Sequence, residues 1–86
     1  MYKVSDDVRS THGQDGAVVL DVRQGQMFNL NLVGSRVLEL LKNGSDEASI
    51  VQTITQEFNS SRDVVENDVR EFITILGKHG LLYDHA

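Results

Sequence analysis

The chain has 86 residues, with 13 acidic and 8 basic side chains, a formal charge of −5, and no cysteine, proline or tryptophan. At that length folding buries only about two-thirds of the unfolded surface, which allows one modest core and no separate cofactor and substrate domains. The missing cysteines exclude disulfides, thiolate nucleophiles, Fe–S clusters and Cys-ligated zinc, and leave the cytoplasm as the expected compartment. No apolar run approaches the roughly 18 residues of a membrane span, and no basic segment followed by an apolar one opens the chain, so neither membrane insertion nor export is expected.

Charge is unevenly distributed. In residues 1–43, Lys3, Arg9, Arg23, Arg36 and Lys42 balance Asp6, Asp7, Asp15, Asp21 and Glu39. In residues 44–86, Arg62, Arg70 and Lys78 face eight carboxylates, so this half carries the whole excess and repels polyanions.

The first third reads as strands. Val8–His12 alternates weakly and runs into Gly13-Gln14-Asp15-Gly16, whose glycines suit a tight hairpin. Ala17–Val22 is β-branched and bounded by turn residues, with Val18, Leu20 and Val22 expected on its inward face. After the Arg23-Gln24-Gly25 turn, Gln26–Leu30 places Phe28 and Leu30 on one face and Met27 and Asn29 on the other, which makes a third strand at an edge.

From Asn31 the apolar spacing becomes helical. A first helix spans about 32–42, with Asn31 as N-cap and Asn43-Gly44 as its stop. Ser45 is expected to cap a second helix with the stripe Ile50, Val51, Ile54 and Phe58, ending near Asn59. Ser60 or Ser61 opens a third, striped by Val65, Val69, Phe72, Ile73 and Leu76, with Gly80 just past its end. Leu81-Leu82-Tyr83 closes the chain. The expected fold is α+β and winged helix-turn-helix-like: a three-stranded antiparallel sheet followed by three helices, in one domain over 1–86 with its core at about 8–83.

The residue inventory points away from catalysis. His12, His79 and His85 stand without a nucleophile or further ligand at useful spacing. Asp68 and Glu71 share a helical face but read as solvated, and Asp84-His85 lacks the further ligands a metal needs. No phosphate-binding glycine motif occurs, so neither cofactor nor metal is expected. The winged outline suggests DNA binding, but helix three sets Arg62, Arg70 and Lys78 against Asp63, Glu66, Asp68 and Glu71, which opposes phosphate contact. The third strand carries neither proline nor an inward charge to guard its edge, so an extended peptide could add there as a further strand. On the residues alone, three readings stay open: peptide addition, a winged-helix DNA-binding regulator, and a self-associating adaptor that dimerises by edge pairing or strand swapping.

The run from Asp15 to Asn31, followed by Val33-Gly34 and Val37-Leu38-Glu39-Leu40-Leu41, resembles the PqqD-like family, the RiPP recognition elements. Asp68-Val69-Arg70-Glu71-Phe72-Ile73-Thr74-Ile75-Leu76 and Gly80-Leu81-Leu82 are similar to that family's ending, so the likeness extends over about residues 8–83. The resemblance implies a non-catalytic peptide chaperone that binds the leader of a ribosomally made precursor and presents it to a modifying enzyme. In the namesake case this is a radical-SAM enzyme of pyrroloquinoline quinone (PQQ) synthesis. It also implies leader pairing with the third strand, in the cleft beside the third helix. Carried over by position, the peptide-binding residues are Met27, Phe28, Asn29 and Leu30 on the strand, and Val65, Asp68, Val69 and Phe72 on the helix. Of these, Met27, Asn29 and Asp68 are the expected direct contacts.

Overall fold

Two glycine-bearing turns fold residues 8–30 into an antiparallel meander, and a computed structural model describes residues 2–84. Strands β1 (Tyr2–Val4), β2 (Val8–Gly13), β3 (Gly16–Asp21) and β4 (Gln26–Leu30) precede helices α1 (Leu32–Lys42), α2 (Glu47–Phe58) and α3 (Arg62–Lys78), and β5 (Leu82–Asp84) follows them. The meander has the order β2-β3-β4. Gly13 pairs with Gly16 around a two-residue loop, and Ala17 pairs with Leu30 at the far end of β4. Gly16 has φ +146°, and a Cβ there would fall on the Leu30 carbonyl oxygen, so only glycine lets β3 start beside the end of β4. At the other turn, Asp21 Oδ1 accepts from the Arg23 and Gln24 backbone N–H groups at 3.1 and 3.3 Å.

The register reverses the inward face expected for β3. Ala17, Val19 and Asp21 are buried, whereas Val18, Leu20 and Val22 are exposed. In an antiparallel sheet directly opposed residues share a face, and Val19 opposes Phe28 while Ala17 opposes Leu30. The two half-buried side chains of β4 therefore fix which side of β3 meets the helices. Asp21 joins that side because its carboxylate serves the turn.

The helices follow their apolar spacing. Asn31 Oδ1 caps α1 by accepting from Gly34 N–H at 2.8 Å, and Asn59 ends α2 in the left-handed region at φ 49°. The cap of α2 is Asp46, which accepts from Ser49 N–H at 2.8 Å, and not Ser45; the acidic side chain also complements the positive helix end. Ser61 occupies the N-cap of α3 without a side-chain hydrogen bond. Val19, Val37, Leu38, Leu41, Ile50, Ile54 and Val69 form the fully buried centre, each contributing about 1.5–3 kcal/mol by leaving water.

One element goes beyond the expected plan. Tyr2, Lys3 and Val4 pair antiparallel with Asp84, Tyr83 and Leu82, so a two-stranded ribbon joins the two ends of the chain. Tyr2 and Val4 pack on the core, which therefore starts before residue 8. No helix among the described residues is long and apolar enough to cross a membrane. No group of three or more metal-ligating side chains occurs among them, and His85 lies outside the described residues.

Candidate functional site

The meander ends at β4, which pairs with β3 on one side and with no described strand on the other. Its five residues, Gln26 to Leu30, include neither proline nor a charge, so a row of backbone donors and acceptors faces outward. Phe28 and Leu30 lie on the helix side of the sheet. The Phe28 ring meets the His79 ring at 5.2 Å between centroids, and Gln24 Nε2 donates to the His79 carbonyl at 3.4 Å. Both contacts fasten the β3–β4 turn and β4 to the C-terminal end of α3.

Towards the other end of α3 a cavity of about 390 Å³ opens between the three helices. Its walls are apolar: Val33, Gly34 and Val37 from α1, Ile54 and Phe58 from α2, and Val64, Val65, Val69 and Phe72 from α3. Asn31, Ser60 and Asp68 supply its polar groups. Asn31 is committed to its cap, whereas Asp68 is exposed and makes no hydrogen bond or ion pair among the described residues. A Cβ on Gly34 would lie 3.5 Å from Leu30 Cβ and 3.7 Å from the Phe72 ring, so the cavity reaches the end of β4 where Gly34 leaves room. An open strand edge that leads into an apolar cavity with one free carboxylate suits an extended peptide: backbone groups pair along β4, and an apolar side chain enters between the helices.

The eight residues expected from the sequence divide into three groups. Val65, Asp68, Val69 and Phe72 line the cavity, with Val65 and Val69 buried in its floor. Phe28 and Leu30 face the same side of the sheet. Met27 and Asn29 point to the opposite side, paired with Leu20 and Val18, and do not meet Asp68. Gly34, Phe58 and Val64 belong to the cavity but were not among the expected residues. The signal for Gly34 was its place three residues after the Asn31 cap, and for Val64 an apolar side chain beside the helix stripe.

Other ionisable clusters stand apart. His12 Nδ1 lies 2.7 Å from Ser35 Oγ and 3.4 Å from Glu39 Oε1, while Nε2 lies 3.0 Å from Ser10 Oγ, which also receives Lys42 Nζ. This network ties β2 to α1, and none of its members lines the cavity. A two-point hydrogen bond to Arg36 holds Glu57 below the usual carboxylate range and raises Arg36. Burial, with Glu47 and Asp84 nearby, raises Tyr2, and the Ser49 N–H lowers Asp46. None of these groups lines the cavity. On α3, Arg70 is drawn to Glu47 at 3.8 Å and Glu66 at 3.3 Å, which competes with any phosphate contact.

Comparison with known proteins fits this geometry. The family described as Coenzyme PQQ synthesis protein D (PqqD) matches residues 16–82, and the chain belongs to that family. Among solved structures it is similar to TbiB1 in complex with the TbiA(beta) leader peptide, at 39% identity, 98% coverage of both chains and a TM-score of 0.87. A lasso peptide synthetase B1 complexed with its leader peptide has the same fold, at 24% identity, 96% coverage of this chain, 98% of that one and a TM-score of 0.84. No curated protein matches the chain.

Proposed function

We propose that the chain is a leader-peptide-binding chaperone. It takes the leader of a ribosomally made precursor as an extra strand on β4 and seats an apolar leader side chain in the cavity between α1, α2 and α3. It performs no chemistry itself: it works in the cytoplasm and hands the tethered precursor to a modifying enzyme, such as a radical-SAM protein of PQQ synthesis or the enzyme of another peptide pathway. The observation that carries this reading is the unpaired, uncharged edge of β4 running into the cavity at Gly34. Membership of the PqqD family and the 39% identical TbiB1, solved with a leader peptide, support it.

Within this reading the contacts are Met27, Phe28, Asn29 and Leu30 along the strand, and Val65, Asp68, Val69 and Phe72 in the wall. Gly34, Phe58 and Val64 are added by the cavity. Asp68, uncompensated beside apolar walls, favours a basic side chain or a free N–H of the peptide. Calorimetric titration with the TbiA(beta) leader peptide, the ligand of the 39% identical TbiB1, tests the proposal. Saturable one-to-one binding at a Kd of about 1 μM or tighter is expected, and no binding up to roughly 100 μM overturns it.

A further inference from the structure

The cleft beside β4 is electrically uneven along its length. On α3, Asp68, Phe72, Ile75 and His79 recur at i, i+4, i+7 and i+11, so they form one stripe on the helix. The β4 side chains fix which way it faces: Phe28 packs on His79, and the space at Gly34 separates Leu30 from Phe72. Ile75, between those two contacts, is 44% exposed, which leaves the stripe uncovered where a further strand would lie. Asp68 stands at the cavity end. The other end carries the opposite charge. Arg23, in the β3–β4 turn, reaches over Gly80, with Nη2 3.6 Å from where a Cβ on that glycine would lie. Its side chain is 62% exposed, and its one ion pair among the described residues is with Asp7 at 4.0 Å, beyond hydrogen-bond length, so its donors are free. Lys78, in the last turn of α3, adds positive charge at the same end.

We propose that this turn end is a subsite for an acidic side chain of the leader, so that the cleft reads a charge pattern: basic at Asp68, acidic at Arg23 and His79. The inference rests on the reading of β4 as the peptide-binding edge. A side chain projecting on the helix side beside Phe28 meets the His79 ring, which offers one N–H when neutral and two when protonated. The Arg23 guanidinium beyond it is a planar fork that matches a carboxylate. The chain's own carboxylates do not fill this place. Asp21 is buried under the turn, with Oδ1 on the Arg23 and Gln24 N–H groups, and Asp7 stays 4.0 Å away. Helix and strand geometry set the spacing. Eleven positions separate Asp68 from His79, about 16 Å along the helix axis or roughly five residues of extended chain. Side chains on one face of a strand are an even number apart, so the two charges lie about four or six residues apart in the leader. The meander pairs antiparallel throughout, and an added strand that continues the pattern runs from Leu30 towards Gln26 and carries the basic residue first.

The test is a substitution scan of the TbiA(beta) leader peptide, each position changed in turn to Glu and to Lys. Every peptide is titrated against the unaltered chain and against Arg23→Glu, the milder Arg23→Gln and Asp68→Lys. Arg23 and Asp68 are exposed, and an unchanged thermal midpoint identifies folded protein. At one leader position Glu is expected to bind about threefold or more tighter than Lys, the scale of an exposed ion pair. About four or six residues before it, Lys is expected to bind tighter than Glu. Arg23→Glu is expected to reverse the first preference and Arg23→Gln to weaken it, each leaving the second intact, whereas Asp68→Lys reverses only the second. A leader that binds with no position preferring Glu, or whose preference for Glu persists in Arg23→Glu, overturns the charge-pattern proposal and leaves the β4 reading standing. Absence of binding between the unaltered leader and the unaltered chain overturns both.

Discussion

Phe28 and His79 pack ring against ring, with centroids 5.2 Å apart and planes tilted by 59°. The contact joins the middle of the exposed strand to the C-terminal cap of α3, and so closes one end of the cleft while the cavity at Gly34 opens the other. His79→Ala is expected to cost less than about 1 kcal/mol of stability in urea denaturation, since the histidine is exposed and the pair adds little beyond its area. Phe28→Ala, which also removes half-buried surface, is expected to cost about 2 kcal/mol. Both loosen β4, so leader affinity should fall in the same order.

Among the described residues, Asp68 is the one carboxylate lining the cavity, and no Lys or Arg lines it. Asp68→Lys is expected to weaken leader binding by about tenfold, or roughly 1.4 kcal/mol, with the thermal midpoint unchanged within error. Asp68→Asn should fall between the two. Calorimetry on all three proteins, at low and high salt, measures the charge-dependent part.

Gly34 keeps the junction of Leu30 and Phe72 open. An alanine there presses on Asn31 Oδ1, 3.3 Å from its Cβ, but gains helix propensity, so little net change in stability is expected. Gly34→Leu must displace the Phe72 ring and fill the mouth of the cavity. It is expected to lower leader affinity at least tenfold, a result that peptide-induced fluorescence anisotropy would reveal.

Gly16 is a backbone requirement. Gly16→Ala forces a side chain onto the Leu30 carbonyl at a φ of +146°, and is expected to cost about 2 kcal/mol or more in denaturant unfolding. Because the clash is at the end of β4, leader binding should weaken in the fraction that stays folded.

Arg36 and Glu57 give a pH signature away from the site. Nε and Nη2 of Arg36 donate to the Glu57 carboxylate at 2.9–3.1 Å, which lowers Glu57 from its ordinary 4.5. A depressed carboxyl contributes stability above its unfolded value and loses it as pH falls through its folded value. The difference between the unaltered chain and Glu57→Gln should therefore be present at pH 7 and vanish well below pH 4.5. Solvent screening of this partly exposed pair keeps it under about 1 kcal/mol. Urea midpoints across that range check the sign.

Much of this architecture was legible because turn and cap chemistry is local. Gly13 and Gly16 marked the hairpin, Asn31 and Gly44 bracketed α1, and the 3.6-residue stripe of α3 carried Val65, Val69 and Phe72 to the cavity. The inward face of β3 was not legible: with Ala17, Val18, Val19 and Leu20 all apolar, period-2 alternation has no polar side to read, and only pairing with Phe28 and Leu30 decides it. The alternation of β4, by contrast, is legible, with Met27 and Asn29 on the face away from Phe28 and Leu30, so nothing in it joins them to Asp68. The β1–β5 ribbon escaped because three residues at each end carry no periodic signal and meet across the whole chain. Phe58 and Val64 needed the packing of α2 against α3 before they shared a wall.

The central claim is that a leader peptide becomes the next strand of the sheet. An amide-shift titration of the isotope-labelled chain with the same leader peptide as in the calorimetry, followed by hydrogen exchange of the complex, tests this most directly. Shifts confined to residues 26–30 and 64–76, with alternate amides of β4 newly protected, are the predicted result. Saturating binding that moves the β1–β5 ribbon or β2 and leaves every β4 amide unshifted and unprotected would contradict it.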